Sequence, residues 1–244
     1  GGALAATVGL RGAFYVSAMF YLGAFIFVIV GFHEPPRAER DAEHVVAAAS
    51  LTWAHFRALP YFVTGMIAVF ALQLVDRSFG PVLPLYLGEV GVADTNVLFL
   101  TGVIFTLAAT AAAIGNQITG WSLRKLLARQ LLPACAGVAG IGAIVFGLGP
   151  SVLVMCIAAI PFGVAMGVAT TAVYTDVGHR VESAERTLAF SYLQTSYLIG
   201  LAVSPVIAGF IGAWSMRAVF FADAAGLAGL AWFIHRRMTT PETR

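Results

Sequence analysis

The chain has 244 residues, of which 59% are hydrophobic and 11% charged, with a mean hydropathy of +0.88. A water-soluble domain carries about 25% charged residues, so this chain has too little polar surface to cover itself in water. The net charge of +2 comes from 14 basic and 12 acidic residues with no basic patch interleaved with aromatics, so no nucleic-acid partner is expected.

Apolar stretches of the roughly 20 residues needed to cross a bilayer occur seven times, at about 13–32, 61–87, 97–118, 131–149, 152–174, 187–210 and 216–234. The expected fold is therefore an all-α integral membrane protein. Glycine and alanine pervade these runs, which suits close packing of helices in lipid. The ten-residue alternation of a membrane β-barrel is absent.

In chain order, Gly1-Gly2 opens the sequence without a methionine or a basic n-region, unlike a signal peptide. We expect the chain to begin inside a longer protein. Residues 1–32 then form the last helix of one bundle, and 33–60 the long polar connection to the next. That connection holds Pro35-Pro36, Arg37, Arg40 and Arg57, with His33, His44 and His55 at no ligand spacing and read as solvated surface.

Asp76 lies about 24 Å past Pro60 at 1.5 Å per residue, in the outer half of the second span. An ionisable group at such depth is a functional candidate because its desolvation costs several kcal/mol. Arg77 beside it either supports its charge, reaches outward or pairs with another helix. Proton coupling or cation contact, a structural ion pair at an outer gate, and a helix end near water all remain open for Asp76. Phe70 and Gln73 precede it at spacings of six and three, suggesting one aromatic, polar and acidic stripe. Pro81 and Pro84 are expected to break or kink this helix as a moving gate.

A basic loop at 119–130 follows the third span. Gly149-Pro150-Ser151 leaves room only for a tight turn between the fourth and fifth. In the fifth, Phe162, Met166 and Thr170 sit near Pro161 and Tyr174. Methionine and aromatics at this spacing describe an adaptable cavity wall or ordinary core. The sixth span is polar, with Ser191, Tyr192, Gln194, Thr195, Ser196 and Tyr197 nearly consecutive, and Gln194 and Tyr197 share a face. They are either a wet, substrate-facing surface or interhelical hydrogen-bonding groups. Asp223 lies in the last span, read as a capping or interhelical group or, alternatively, a transport group. Residues 61–235 are expected to form a six-helix bundle and 236–244 a tail. Cys135 and Cys156 fall in apolar runs and read as small buried side chains.

Charge sets the orientation. Eleven basic residues (Arg37, Arg40, Arg57, Arg124, Lys125, Arg129, Arg180, Arg186, Arg236, Arg237 and Arg244) fall on one side, and only Arg11 and Arg217 on the other. By the positive-inside rule the first side, including the C-terminus, is expected in the cytoplasm. Gly9-Leu10-Arg11-Gly12-Ala13-Phe14 also echoes Trp214-Ser215-Met216-Arg217-Ala218-Val219-Phe220. Arg11 matches Arg217 and Phe14 matches Phe220 at an offset of 206 residues, the spacing a parallel repeat of two six-helix halves gives.

With these motifs the sequence resembles the major facilitator superfamily, drug:proton antiporter type, over helices six to twelve. Gly1-Gly2 and Gly9–Phe14 resemble the end of its fifth helix and the loop after it. Pro81-Val82-Leu83-Pro84-Leu85-Tyr86 resembles the end of its seventh. Gly200, Pro205 and Gly209 resemble its weak eleventh-helix glycine–proline motif, with Ser204 and Ala208 at positions usually glycine. Gly115 through Arg124-Lys125 resembles the loop motif between helices eight and nine, without its acidic residue.

The resemblance implies a fragment of a major facilitator-like helical bundle in the cell membrane, completed by a missing N-terminal bundle and monomeric at full length. It implies alternating-access export of a small amphipathic compound, with the proton gradient as energy source. A nutrient or organic-anion symporter of the same fold is the alternative. A seven-helix receptor is the reading outside transport, although no span carries a lysine for retinal. No phosphate loop, HExxH, CxxC or GxSxG occurs, so no enzyme, cofactor or metal is expected.

Overall fold

The computed structural model describes residues 2–32, 53–125, 128–149 and 151–239. All regular elements among them are helices: α1 (Gly2–Gly31), α2 (Trp53–Arg57), α3 (Pro60–Glu89), α4 (Asp94–Lys125), α5 (Ala128–Leu148), α6 (Val152–Arg180), α7 (Arg186–Gly212) and α8 (Met216–Thr239). All but α2 are long and apolar enough to cross a membrane. The chain is an all-α, multi-pass membrane protein, as its composition predicts.

α1 is two helical pieces joined at Gly9, whose φ of 75° and ψ of 167° lie in a region that side chains with a Cβ avoid. The remaining long helices run alternately up and down. α4 and α6 lie parallel. A Cβ on Gly163 or Gly167 would strike the Ala108 or Ala112 carbonyl, and one on Gly115 would strike that of Val164. Small residues let these backbones meet, the usual device in lipid, where apolar burial alone does not drive helices together. α3 and α7 are likewise parallel. Ser196 donates to the Met66 carbonyl at 2.8 Å and Ser204 to that of Leu74, with Gly200 between them against Phe70.

α8 crosses α5 in the opposite sense, with Gly140 beside Ala224 and Leu227, and Gly147 beside Phe220. The core where α3, α5, α6 and α8 converge is aromatic. Phe79 lies 4.9 Å from Phe162, 5.0 Å from Phe220 and 5.1 Å from Phe146 between ring centroids. Tyr86 caps it and donates to the Gly147 carbonyl at 3.2 Å.

The structure corrects several expectations about local structure. Pro81 and Pro84 do not break α3, which is helical from Pro60 to Glu89. Each proline removes one N–H from the ladder, a loss that packed membrane helices tolerate. The 119–130 segment is not a loop, because α4 continues to Lys125 and α5 resumes at Ala128. Residues 53–57 of the expected linker form α2, whose Trp53 and Phe56 rings pack at a tilt against Tyr192, 5.2 and 5.5 Å between centroids. The rest of that linker, 33–52, and residues 240–244 lie outside the described residues. His55 is not simply solvated surface, because its Nε2 lies 3.3 Å from Glu185 Oε1. The expected break between these spans is present, with α5 ending at Leu148, Gly149 at φ 55°, and Ser151 accepting from the Val154 amide at 3.3 Å at the start of α6.

Candidate functional site

α3 carries Asp76 and Arg77 near the middle of its length, about 24 Å from its start and about 20 Å from its end. Adjacent side chains on a helix diverge by about 100°, but arginine is long enough to fold back. Arg77 Nε lies 3.3 Å from Asp76 Oδ2, and Arg77 Nη2 donates to the Tyr197 hydroxyl of α7 at 3.3 Å. The Asp76 and Arg77 side chains are 38% and 47% exposed. They therefore face an open side of the bundle rather than its core. An acid, a cation and a phenol on one surface can bind a charged or hydrogen-bonding solute, and can hold or release a proton.

The same face continues between α6 and α7. Tyr174 donates to Gln194 Oε1 at 3.3 Å, and Thr171 donates to Asn116 Oδ1 of α4 at 2.9 Å. A crevice of about 470 Å³ is lined here by Thr170, Thr171, Tyr174, Thr175, Gly178, His179, Arg186 and Phe190. On the same helix, Arg180 Nε lies 3.1 Å from Asp176 Oδ2 and its guanidinium sits over the Tyr61 ring.

The structure thus brings Asp76, Arg77, Thr170, Gln194 and Tyr197 onto one polar side. Other predicted residues go elsewhere. Phe162 and Met166 are 5% and 4% exposed, so in this structure they are core rather than cavity wall. Gln73 is 5% exposed and turned into the α3–α7 seam against Gly200, so it does not share a stripe with Asp76. Its Oε1, with Thr101 Oγ1, is a buried side-chain atom without a hydrogen-bond partner among the described residues. Phe70 is half-buried beside the same seam.

Gly115 and Gly200 sit where helix backbones meet, whereas a Cβ on Gly209 would meet open space and Pro205 is exposed. Arg124 is exposed near the end of α4, which Lys125 closes. Asp223 is away from the polar face altogether, 5% exposed, with Oδ2 2.5 Å from Ser78 Oγ. Sequence reading missed Ser78 and the Asn116–Thr171 pair. The available signal for Ser78 was only that a buried acid in one span requires a polar partner in another.

A family model for the Major Facilitator Superfamily matches residues 1–181 and also residues 66–244. The chain belongs to the Major Facilitator Superfamily. That membership sets it among transporter proteins rather than enzymes. Individual relatives are more distant. Multidrug resistance protein MdtG of Erwinia billingiae is 27% identical over 242 residues, covering 97% of this chain and 58% of the relative. The protein of the same name from Proteus mirabilis is 28% identical over 233 residues, covering 92% and 56%. That of Escherichia coli O17:K52:H18 is 25% identical over 248 residues, covering 99% and 60%. The chain spans somewhat more than half the length of these curated relatives.

Proposed function

We propose that this superfamily member forms the rear part of a secondary transporter, helices six to twelve, which exports a small amphipathic compound in exchange for protons. In this reading α1 closes the preceding bundle, residues 61–235 form the C-terminal six-helix bundle, and the basic ends of the helices face the cytoplasm. The observation that carries it is the Asp76–Arg77–Tyr197 group on an open side of the bundle, inside a helix long and apolar enough to span a membrane. Its likeness to proteins named multidrug resistance protein MdtG supports a small drug-like compound as the cargo.

The physical scheme is competition at Asp76. With Asp76 charged, Arg77 is held between it and Tyr197. Protonation of Asp76 removes the ion pair and frees Arg77 to move, so one proton biases which side of the membrane the face addresses. A cationic substrate competes with that proton for the same carboxylate. Such coupling is a difference in affinity between two conformations, and a factor of 100 corresponds to about 2.7 kcal/mol.

The deciding experiment uses the full-length protein in everted vesicles, with lipophilic cations added to an established proton gradient. Discharge of the gradient by wild type, and its loss in Asp76→Asn, is the expected result. A wild type that ignores cations and responds instead to organic anions, in a manner lost with Arg77→Gln, would transfer the site to the symporter alternative. Equal activity in wild type and Asp76→Asn would remove Asp76 from the coupling.

A further inference from the structure

A second acid inside a membrane-spanning helix lies off the polar face, and its surroundings are unlike those of Asp76. Asp223 is 5% exposed and Ser78 3% exposed, facing each other across the seam between α8 and α3. Around them lie Phe79, Phe220 and Leu227, at 4%, 0% and 0% exposure.

The ionisable groups on the neighbouring helices are engaged elsewhere. On α3, Asp76 and Arg77 pair with each other and Arg77 reaches Tyr197 of α7. Tyr86, two turns further out on α3, engages the Gly147 carbonyl and Arg217 of α8. Cys135 of α5 lies beyond Gly140, the α5 residue that packs against Ala224. Arg186 of α7 belongs to the crevice at the other end, and Arg236 sits over Trp232. Among the described residues, Ser78 is the hydrogen-bond partner of Asp223.

Hydrogen accounting then decides the protonation state. Ser78 Oγ lies 2.8 Å from the Val75 carbonyl oxygen and 2.5 Å from Asp223 Oδ2. Both neighbours are oxygen atoms, and a hydroxyl has one hydrogen to give. If Ser78 donates to Val75, as serines in helices commonly do to the preceding turn, the hydrogen between Ser78 and Asp223 must come from the carboxyl. The opposite assignment leaves an ionised carboxylate in an apolar seam with one hydroxyl donor and no cation, an arrangement that costs several kcal/mol.

We infer that Asp223 and Ser78 form a buried proton-holding site between α3 and α8, in which Asp223 is the neutral acid and donates to Ser78. The ligand of this site is the proton itself. The neutral pair joins α8 to α3, and removing the proton puts an uncompensated charge into the seam. This site is distinct from Asp76 and does not rest on the transport reading.

Infrared difference spectroscopy of the intact protein in lipid tests it directly. At neutral pH, wild type minus Asp223→Asn is expected to show loss of a protonated-carboxyl C=O band, because asparagine keeps the size and a donor for Ser78 but has no acid. Ser78→Ala is expected to shift that band to higher frequency, the direction of a carboxyl released from its acceptor. Loss of only an ionised-carboxylate stretch in Asp223→Asn would overturn the inference. Should that variant fail to fold, Ser78→Ala with isotope-labelled aspartate still decides: protonated-aspartate bands that do not move refute the site. Neither readout involves substrate or a gradient, so a negative result here leaves the proposal for Asp76 standing, and the reverse.

Discussion

The two sides of α3 treat an acid in opposite ways. On one side, Asp76 is partly exposed, next to a guanidinium that a phenol on α7 also holds. On the other, two residues along, Ser78 meets Asp223 in a seam sealed by aromatic rings. Both acids look alike in a hydropathy profile, since each interrupts an apolar run. A cation and an open side let a carboxylate exist as a charge and exchange it. A hydroxyl alone, away from water, accommodates only the neutral form at tolerable cost. Intramembrane acids therefore divide by what surrounds them on neighbouring helices.

If the division is real, substitutions on the sealed side act on stability and those on the open side act on transport. The largest stability effect is expected from Phe162→Ala, in contact with Phe79 and Phe146. It should cost about 3–5 kcal/mol by denaturation in mixed micelles. Asp76→Ala, on the open side, should cost about 1 kcal/mol or less, as exposed ion pairs do. A Phe162→Ala protein of wild-type stability with altered substrate range would return Phe162 to the cavity wall and break the comparison.

Next in size is the α3–α7 seam. A Cβ on Gly200 would approach the Phe70 carbonyl oxygen to 2.7 Å, whereas one on Gly209 would meet nothing within 4 Å. Gly200→Ala should cost about 1–3 kcal/mol by overpacking, and Gly209→Ala should stay within about 0.5 kcal/mol. Equal effects would mean that the seam is not the close contact described. Asp223→Ala, which strips the carboxyl and leaves Ser78 without that partner, should cost about 1–3 kcal/mol. Asp223→Asn should cost clearly less, because its amide can still donate to Ser78.

The number of spans and the alternation of polar ends were legible because each depends only on local composition. So was the break between α5 and α6, where Gly149 has a positive φ and Ser151 supplies the cap. What sequence could not supply is which face of a helix meets which neighbour. Phe162 and Met166 have the spacing of a cavity wall and are core, because α6 turns that stripe toward α3 and α5. Gln73 shares helical spacing with Asp76 yet enters the seam at Gly200. Phe14 and Phe220 occupy matching places in the internal echo, but Phe14 is 70% exposed and Phe220 fully buried. The same letters lead into helices with different neighbours. The apolar stretch of the third span ends before Arg124-Lys125 and predicts a loop there, whereas α4 extends past that stretch to Lys125.

The smallest loss expected from breaking a contact is also the most discriminating. Tyr197 touches the open-side group only through its hydroxyl, which accepts from Arg77 Nη2 at 3.3 Å. Tyr197→Phe removes that oxygen and keeps the ring, so packing of α7 is preserved. The loss in stability should be about 0.6 kcal/mol, the size of a typical hydrogen bond between membrane helices. In a double-mutant cycle with Arg77→Gln, most of it should appear as coupling energy. Transport should respond differently from stability: with Tyr197 no longer competing for Arg77, the guanidinium is available to Asp76 alone, the charged carboxylate is favoured, and protonation requires a lower pH. The pH at which cation-driven proton release is half-maximal should therefore shift downward in Tyr197→Phe. An unshifted profile with a normal stability loss would make the Arg77–Tyr197 bond a purely structural tie between α3 and α7 and leave Asp76 to act without it.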